Sequence, residues 1–139
     1  MNYVTNGFSP SMLQKLPSDV EFMPITADEF CQVVNGFHVN AVGHQGTADL
    51  INGLCGSSLR MNRVPINALP GDHIYIVTLT TRLEEGKVLS REEIKHIYDE
   101  GKVKFIKAVI YGAVLSELSE CEGKCNEMTY DSLAYRAKR

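Results

Sequence analysis

Apolar and polar positions along this chain alternate between a period of two and a period near 3.6, and each switch predicts a new element. Residues 2–6 read as a short first strand. Ser9-Pro10 predicts a helix start, with serine as N-cap and proline at the first helical position, where its missing N–H costs nothing. Met12, Leu13 and Leu16 give that helix an apolar face before Pro17 ends it. Residues 20–25 are extended, and Pro24 assigns them to a sheet edge or a strand terminus. Thr26-Ala-Asp-Glu29 is a capping box, Phe30, Val33 and Val34 form a buried stripe behind it, and Gly36 closes the helix.

Residues 37–43 predict a third strand. After His44, Ala48, Ile51, Leu54 and Cys55 recur at helical spacing until Gly56. Residues 61–67 predict a fourth strand, and Pro70-Gly71-Asp72 a turn. The strongest strand is 73–82, predominantly apolar from Ile74 to Leu79, as suits a central strand covered on both faces. With a period of two, Thr78, Thr80 and Arg82 share one face. Ser90-Arg-Glu-Glu93 is a second capping box, followed by Ile94, Ile97 and Tyr98 on one helix face and by Gly101. Residues 103–111 make the last strand.

Strands alternating with helices at this spacing predict an α/β layer structure: one domain, residues 1–111, with a mixed, roughly five-stranded sheet flanked by helices. From Gly112 the chain turns polar, and residues 112–139 read as a C-terminal extension of unassigned role, with an amphipathic pattern from Tyr130 to Tyr135.

At 139 residues the chain is long enough for one domain with a proper core. No run approaches the roughly 18 apolar residues needed to span a bilayer, and no basic, then apolar leader opens it, so a cytoplasmic protein without membrane partners is expected. The net charge of −3 argues against broad DNA binding, yet leaves room for a small phosphorylated ligand held by a few arginines. Cys31 and Cys55 fall within apolar helical patterns and are expected to be reduced core residues. Cys121-Glu-Gly-Lys-Cys125 is a lone C-x3-C pair; a zinc site needs four ligands, so neither metal nor cofactor is expected.

Of the four histidines, His38, His73 and His96 suit solvated or capping roles. His44 differs, because it stands after Gly43 where a strand ends and a helix begins. In open α/β sheets ligands bind at the carboxyl ends of strands, and the helix amides there attract an anion. The plainer role for His44 is to cap the helix. Arg82 ends the central strand, with Glu85 in the turn behind it, and an arginine fork suits a phosphate. The plainer role for those two is an exposed ion pair. Arg63 adds a second phosphate contact, and Asn6 and Ser9 offer neutral hydrogen bonds. P-loop, dinucleotide-fold, serine-hydrolase and zinc-protease motifs are all absent from the sequence.

Taken in order, Asn6-Gly-Phe-Ser9-x-x-Met12-Leu13, Gly43-His44-x-x-Thr47-Ala-x-Leu50, Leu54-Cys55-Gly56, Asn62-Arg63-Val64, Gly71-Asp72 and Arg82-Leu83-Glu84-Glu85-Gly86-Lys87-Val88-Leu89, followed by Glu93-Ile94, carry a resemblance. The set resembles the viral type III anti-CRISPR ring nucleases, over about residues 1–111. The resemblance implies a homodimer that binds cyclic tetra-adenylate and cleaves it without metal to linear di-adenylate with 2′,3′-cyclic phosphate ends, switching off type III CRISPR signalling inside a prokaryotic cell. It assigns His44 as general acid, Arg82 to the charge at phosphorus, and Glu85 to orienting the ribose or His44. Asn6, Ser9, Thr47 and Arg63 correspond to ligand-binding positions. Thr78 and Thr81 stand where viral relatives are expected to carry longer polar side chains. A sponge or sensor that holds the ring without cutting it is the other reading open to the same residues. Anti-CRISPR and host self-limiting uses both fit the chemistry.

Overall fold

The computed structural model describes residues 1–80 and 90–112. Arg82, Glu85, Cys121 and Cys125, and with them the extension from residue 113 onward, lie outside the described residues. The elements run β1 (Asn2–Thr5), a 3-10 turn (Pro10–Met12), β2 (Asp19–Pro24), α1 (Ala27–Val34), β3 (Val39–Ala41), α2 (Gln45–Cys55), β4 (His73–Leu79), α3 (Arg91–Asp99) and β5 (Val103–Gly112).

One five-stranded sheet in the order β2-β5-β4-β1-β3 organises them. β1 lies parallel to both β3 and β4, whereas β5 runs antiparallel to β4 and β2. The expected mixed sheet in a single α/β domain is therefore present, with Pro24 on the edge strand β2. Thr5 stands opposite Ala41 on one side and Ile76 on the other. The carboxyl ends of β1 and β3 thus come level.

Strand alternation divides the core in two. Val4, Tyr75, Val77 and Phe105 pack with Phe30 and Val34 of α1 and with Ala48 and Ile51 of α2. The Phe30 and Phe105 rings stand 4.9 Å apart between centroids. Ala41, Ile74, Ile76, Ala108 and Ile110 turn the other way, where Ile66, Ala68, Phe8, Met12 and Leu13 cover them. One face of the sheet is thus roofed by helices and the other by loops. Both capping boxes form, the Glu29 and Glu93 amides donating to Thr26 and Ser90 hydroxyls at 3.1 Å each.

Four expectations are corrected. The helix expected from Pro10 is a single 3-10 turn, because the Gln14 amide donates to Ala68 O and the Ala68 amide to Met12 O, which draws the chain out beside residue 68. Residues 61–67 form no strand. Pro65 has no N–H to give to a ladder, and Val64 N–H folds back onto Asn62 O. The central strand stops at Leu79, three residues before Arg82, where the Thr80 amide donates to Lys102 O. Cys31 and Cys55 are joined in a disulfide between α1 and the end of α2, closing a loop with a sequence separation of 24. The pattern that put both cysteines in helices is correct; the expectation of free thiols is not, because the α1–α2 packing brings their Cα atoms within 5.1 Å.

Candidate functional site

Two parallel strands deliver the site. β1 ends at Thr5 and hands on to Asn6, while β3 ends at Ala41 and continues through Val42 and Gly43 to His44. The Gly43 amide donates to Asn6 Oδ1 at 3.0 Å. Its carbonyl accepts from Arg63 Nε at 2.8 Å. Two residues distant in sequence thus meet at one glycine.

Arg63 reaches this point on a strap that follows α2 and lies along the free edge of β3. Side-chain amides hold most of it. Asn52 takes the Leu59 amide and the Ser57 hydroxyl on Oδ1, at 2.7 Å each, and donates from Nδ2 to Leu59 O at 2.8 Å. Asn40 Nδ2 donates to Arg60 O, Gln45 Oε1 accepts from the Met61 amide, and Asn62 Nδ2 donates to Asn40 O. One backbone bond, from the Asn62 amide to Val42 O at 2.7 Å, completes it. The strap blunts an otherwise open sheet edge.

A cleft of about 360 Å³ opens beside the glycine, on the loop-covered side of the sheet. Thr5, Phe8, Met12, Ala41 and Ile66 give it apolar walls; Asn6, Ser9 and Arg63 supply polar groups. Ser9 caps the 3-10 turn, with its hydroxyl 3.1 Å from that of Ser11. Three of the four expected ligand-binding residues therefore line one hollow. Thr47, the fourth, is buried in the first turn of α2 and is not among the lining residues. A larger hollow of about 700 Å³, between β2, β5 and the end of α3, contains none of the expected site residues.

His44 follows Gly43 in extended conformation and is the N-cap residue of α2. Its side chain makes no capping hydrogen bond, so the plainer role is not the one adopted. Nδ1 is buried and unpartnered among the described residues. α2 also has no acidic residue in its first turn, so its amino-terminal dipole carries no compensating carboxylate there. A helix start of this kind favours an anion. The other histidines are engaged locally: His38 Nδ1 lies 3.2 Å from Gly36 O, His96 Nε2 is 2.8 Å from Glu100 Oε2, and the His73 ring meets Tyr75 edge-on. Burial, the nearby Lys107 and the amino terminus hold His73 below the ordinary imidazole range, against a smaller opposite pull from Asp72.

Asn40, Gln45 and Asn52 were not singled out by the sequence. Their signal was present only as amide side chains beside strand and helix ends, where such groups bind stray backbone.

A family model described as STIV B116-like matches residues 2–105. The chain is 42% identical over 114 residues to the uncharacterized protein ORF116 of Acidianus filamentous virus 1, covering 81% of this chain and 98% of that protein. It is 40% identical over 99 residues to the uncharacterized protein 26 of Sulfolobus islandicus filamentous virus, covering 70% and 84%. In three dimensions it is similar to B116 of Sulfolobus turreted icosahedral virus, with a TM-score of 0.68, 38% identity, and coverage of 78% of this chain and 97% of that one. No helix among the described residues is long and apolar enough to cross a membrane.

Proposed function

The chain belongs to the STIV B116-like family of archaeal viral proteins, and from that footing we propose that it is a metal-independent ring nuclease acting on cyclic tetra-adenylate. The observation that carries the reading is the meeting of Asn6, Gly43 and Arg63 at the cleft, directly before a histidine whose buried ring nitrogen has no partner among the described residues. A phosphodiester fits this arrangement: an apolar hollow for a base, an arginine for the phosphate and an imidazole at a helix start. The family match supplies archaeal viruses as the setting and includes every expected site residue within residues 2–105.

In this reaction the ribose 2′-oxygen attacks its neighbouring phosphorus and the bond from phosphorus to the 5′-oxygen breaks. The 2′-hydroxyl proton passes to solvent, and His44 gives a proton to the departing 5′-oxygen. General acid catalysis of this kind contributes about 10²–10⁴-fold. Arg63 holds the phosphate, and Arg82 stabilises the charge that develops on it. Glu85 orients the ribose or His44. The products are linear di-adenylates with 2′,3′-cyclic phosphate ends. The protein works as a homodimer in the host cytoplasm, because a two-fold axis matches a ring of four identical nucleotides and presents one His44 to each of two opposite linkages. Destroying the messenger would silence a type III CRISPR response.

Incubating the full chain with labelled cyclic tetra-adenylate in EDTA, and separating products by chromatography, tests this. Conversion to the cyclic-phosphate di-adenylate is expected. Tight binding of an intact ring would replace the enzyme by a sponge or sensor, and neither binding nor conversion would end the proposal.

A further inference from the structure

The sequence ranked Asn6 and Arg63 as ligand contacts, but the atoms they commit in the folded chain point to an additional task. Gly43 sits between two peptide units, and a different side chain grips each one. The unit before it is held through its N–H by Asn6 Oδ1, at 3.0 Å. The unit after it, which leads directly into His44, is held through its C=O by Arg63 Nε, at 2.8 Å. A backbone gripped on both sides of one Cα has little freedom left in either flanking torsion, even at a glycine, the residue with the most freedom to lose.

We infer that Asn6 and Arg63 are positioning residues that aim His44 by clamping the Gly43 peptide units from opposite sides. The inference rests on the ring-nuclease reading for its catalytic consequence and on the hydrogen bonds alone for its geometry. The need for a clamp follows from the surroundings. β3 is a three-residue edge strand, and its ladder with β1 ends at Ala41 opposite Thr5. His44 has no side-chain capping bond of its own. Between the end of the ladder and the first turn of α2, these two side chains hold the Gly43 N–H and C=O, and the Asn62 amide adds a backbone bond to Val42 O of the first unit. Arg63 commits only Nε to the glycine, and its terminal nitrogens make no hydrogen bond or ion pair among the described residues. One face of the guanidinium thus fixes the acid while the fork beyond it is available to a phosphate, which couples ligand binding to the setting of His44.

Space agrees with this close approach. A methyl group on Gly43 would stand 3.4 Å from Arg63 Cγ and 3.7 Å from Asn6 Oδ1, so both side chains already lie against the glycine.

Amide hydrogen exchange of the ligand-free full chain, read beside steady-state cleavage, tests the clamp. Asn6→Ala removes the acceptor, and Gly43 N–H should then exchange about tenfold faster while the Ile76 amide in β4 keeps its protection. Asn6→Asp retains an acceptor oxygen at the same reach and should return the Gly43 amide to within about threefold of wild type. In the cleavage assay Asn6→Ala should lower kcat by about tenfold or more with KM nearly unchanged, the pattern of lost orientation. Unaltered Gly43 exchange in Asn6→Ala, or a loss confined to KM, would overturn the inference and return Asn6 to a plain ligand contact. Should the wild-type chain cut no ring, the catalytic reading fails on that result, and the exchange measurement still decides whether the clamp exists.

Discussion

A buried ring nitrogen without a partner is costly, about 1–3 kcal/mol, and such groups persist in folded proteins mainly where function uses them. Among the described residues His44 Nδ1 is in that position, and the other three histidines are not. Position in the sequence separated His44 from the others because it stands at a strand-to-helix junction directly after Gly43. What position could not reveal is that the side chain declines the capping role. His73 makes a separate prediction, since it lies at the opposite end of the sheet from the cleft. Its folded pKa is depressed chiefly by burial, so the unfolded chain takes up a proton first as pH falls. Its contribution to stability is therefore complete above the unfolded value of about 6.5 and is lost as pH drops through that value towards the folded one. Urea unfolding at a series of pH values should show this slope in wild type and a shallower one in His73→Asn. Equal slopes would mean that the ring is freely protonated in the folded chain.

Elements whose signals lie within one turn of chain were legible; those secured by distant side chains were not. Both capping boxes form because the serine or threonine and the glutamate are three residues apart, and no tertiary contact is needed to join them. The strap after α2 is the opposite case. Its apolar pattern near residues 61–67 resembled a strand, yet its hydrogen bonds go to Asn40, Gln45 and Asn52 on elements that only the fold brings near. Asn52 alone satisfies two donors and one acceptor of the strap. Asn52→Ala should cost about 2 kcal/mol in denaturant unfolding, and should raise KM by loosening the segment that carries Arg63. A full loss of stability with unaltered kinetics in the surviving folded fraction would show that the strap and the cleft are independent. The 3-10 turn tells the same lesson: Ser9 and Pro10 start a helix locally, and the pairing with Ala68, 55 residues beyond Leu13 in sequence, ends it.

At the scale of the whole molecule, the mixed five-stranded sheet was legible because alternation and helix periodicity are strong in this chain, and because Pro24 belongs only on an edge. The disulfide was not. Its two cysteines are 24 residues apart, on helices that only the fold brings together, and cytosolic thiols are ordinarily reduced. In chain-entropy terms a loop of this size is worth about 3 kcal/mol, so reduction, or Cys31→Ala with Cys55→Ala, should lower Tm by about 10 °C. An unaltered Tm would mean that α1 and α2 hold each other without the bond. The candidate site was half legible: Asn6, Ser9 and Arg63 line one cleft at the ends of β1 and β3 and His44 follows its Gly43, though it is not itself among the lining residues, whereas Thr47 lies buried in α2, and Arg82 and Glu85 lie outside the described residues. The central claim is that His44 is the acid that breaks the ring. It is tested most directly by single-turnover cleavage of cyclic tetra-adenylate in EDTA by wild type and His44→Ala, with binding measured on the same samples. The account predicts a rate about 10²–10⁴-fold lower in the variant with affinity retained. Equal rates in the two proteins, or no cleavage by wild type, would contradict it.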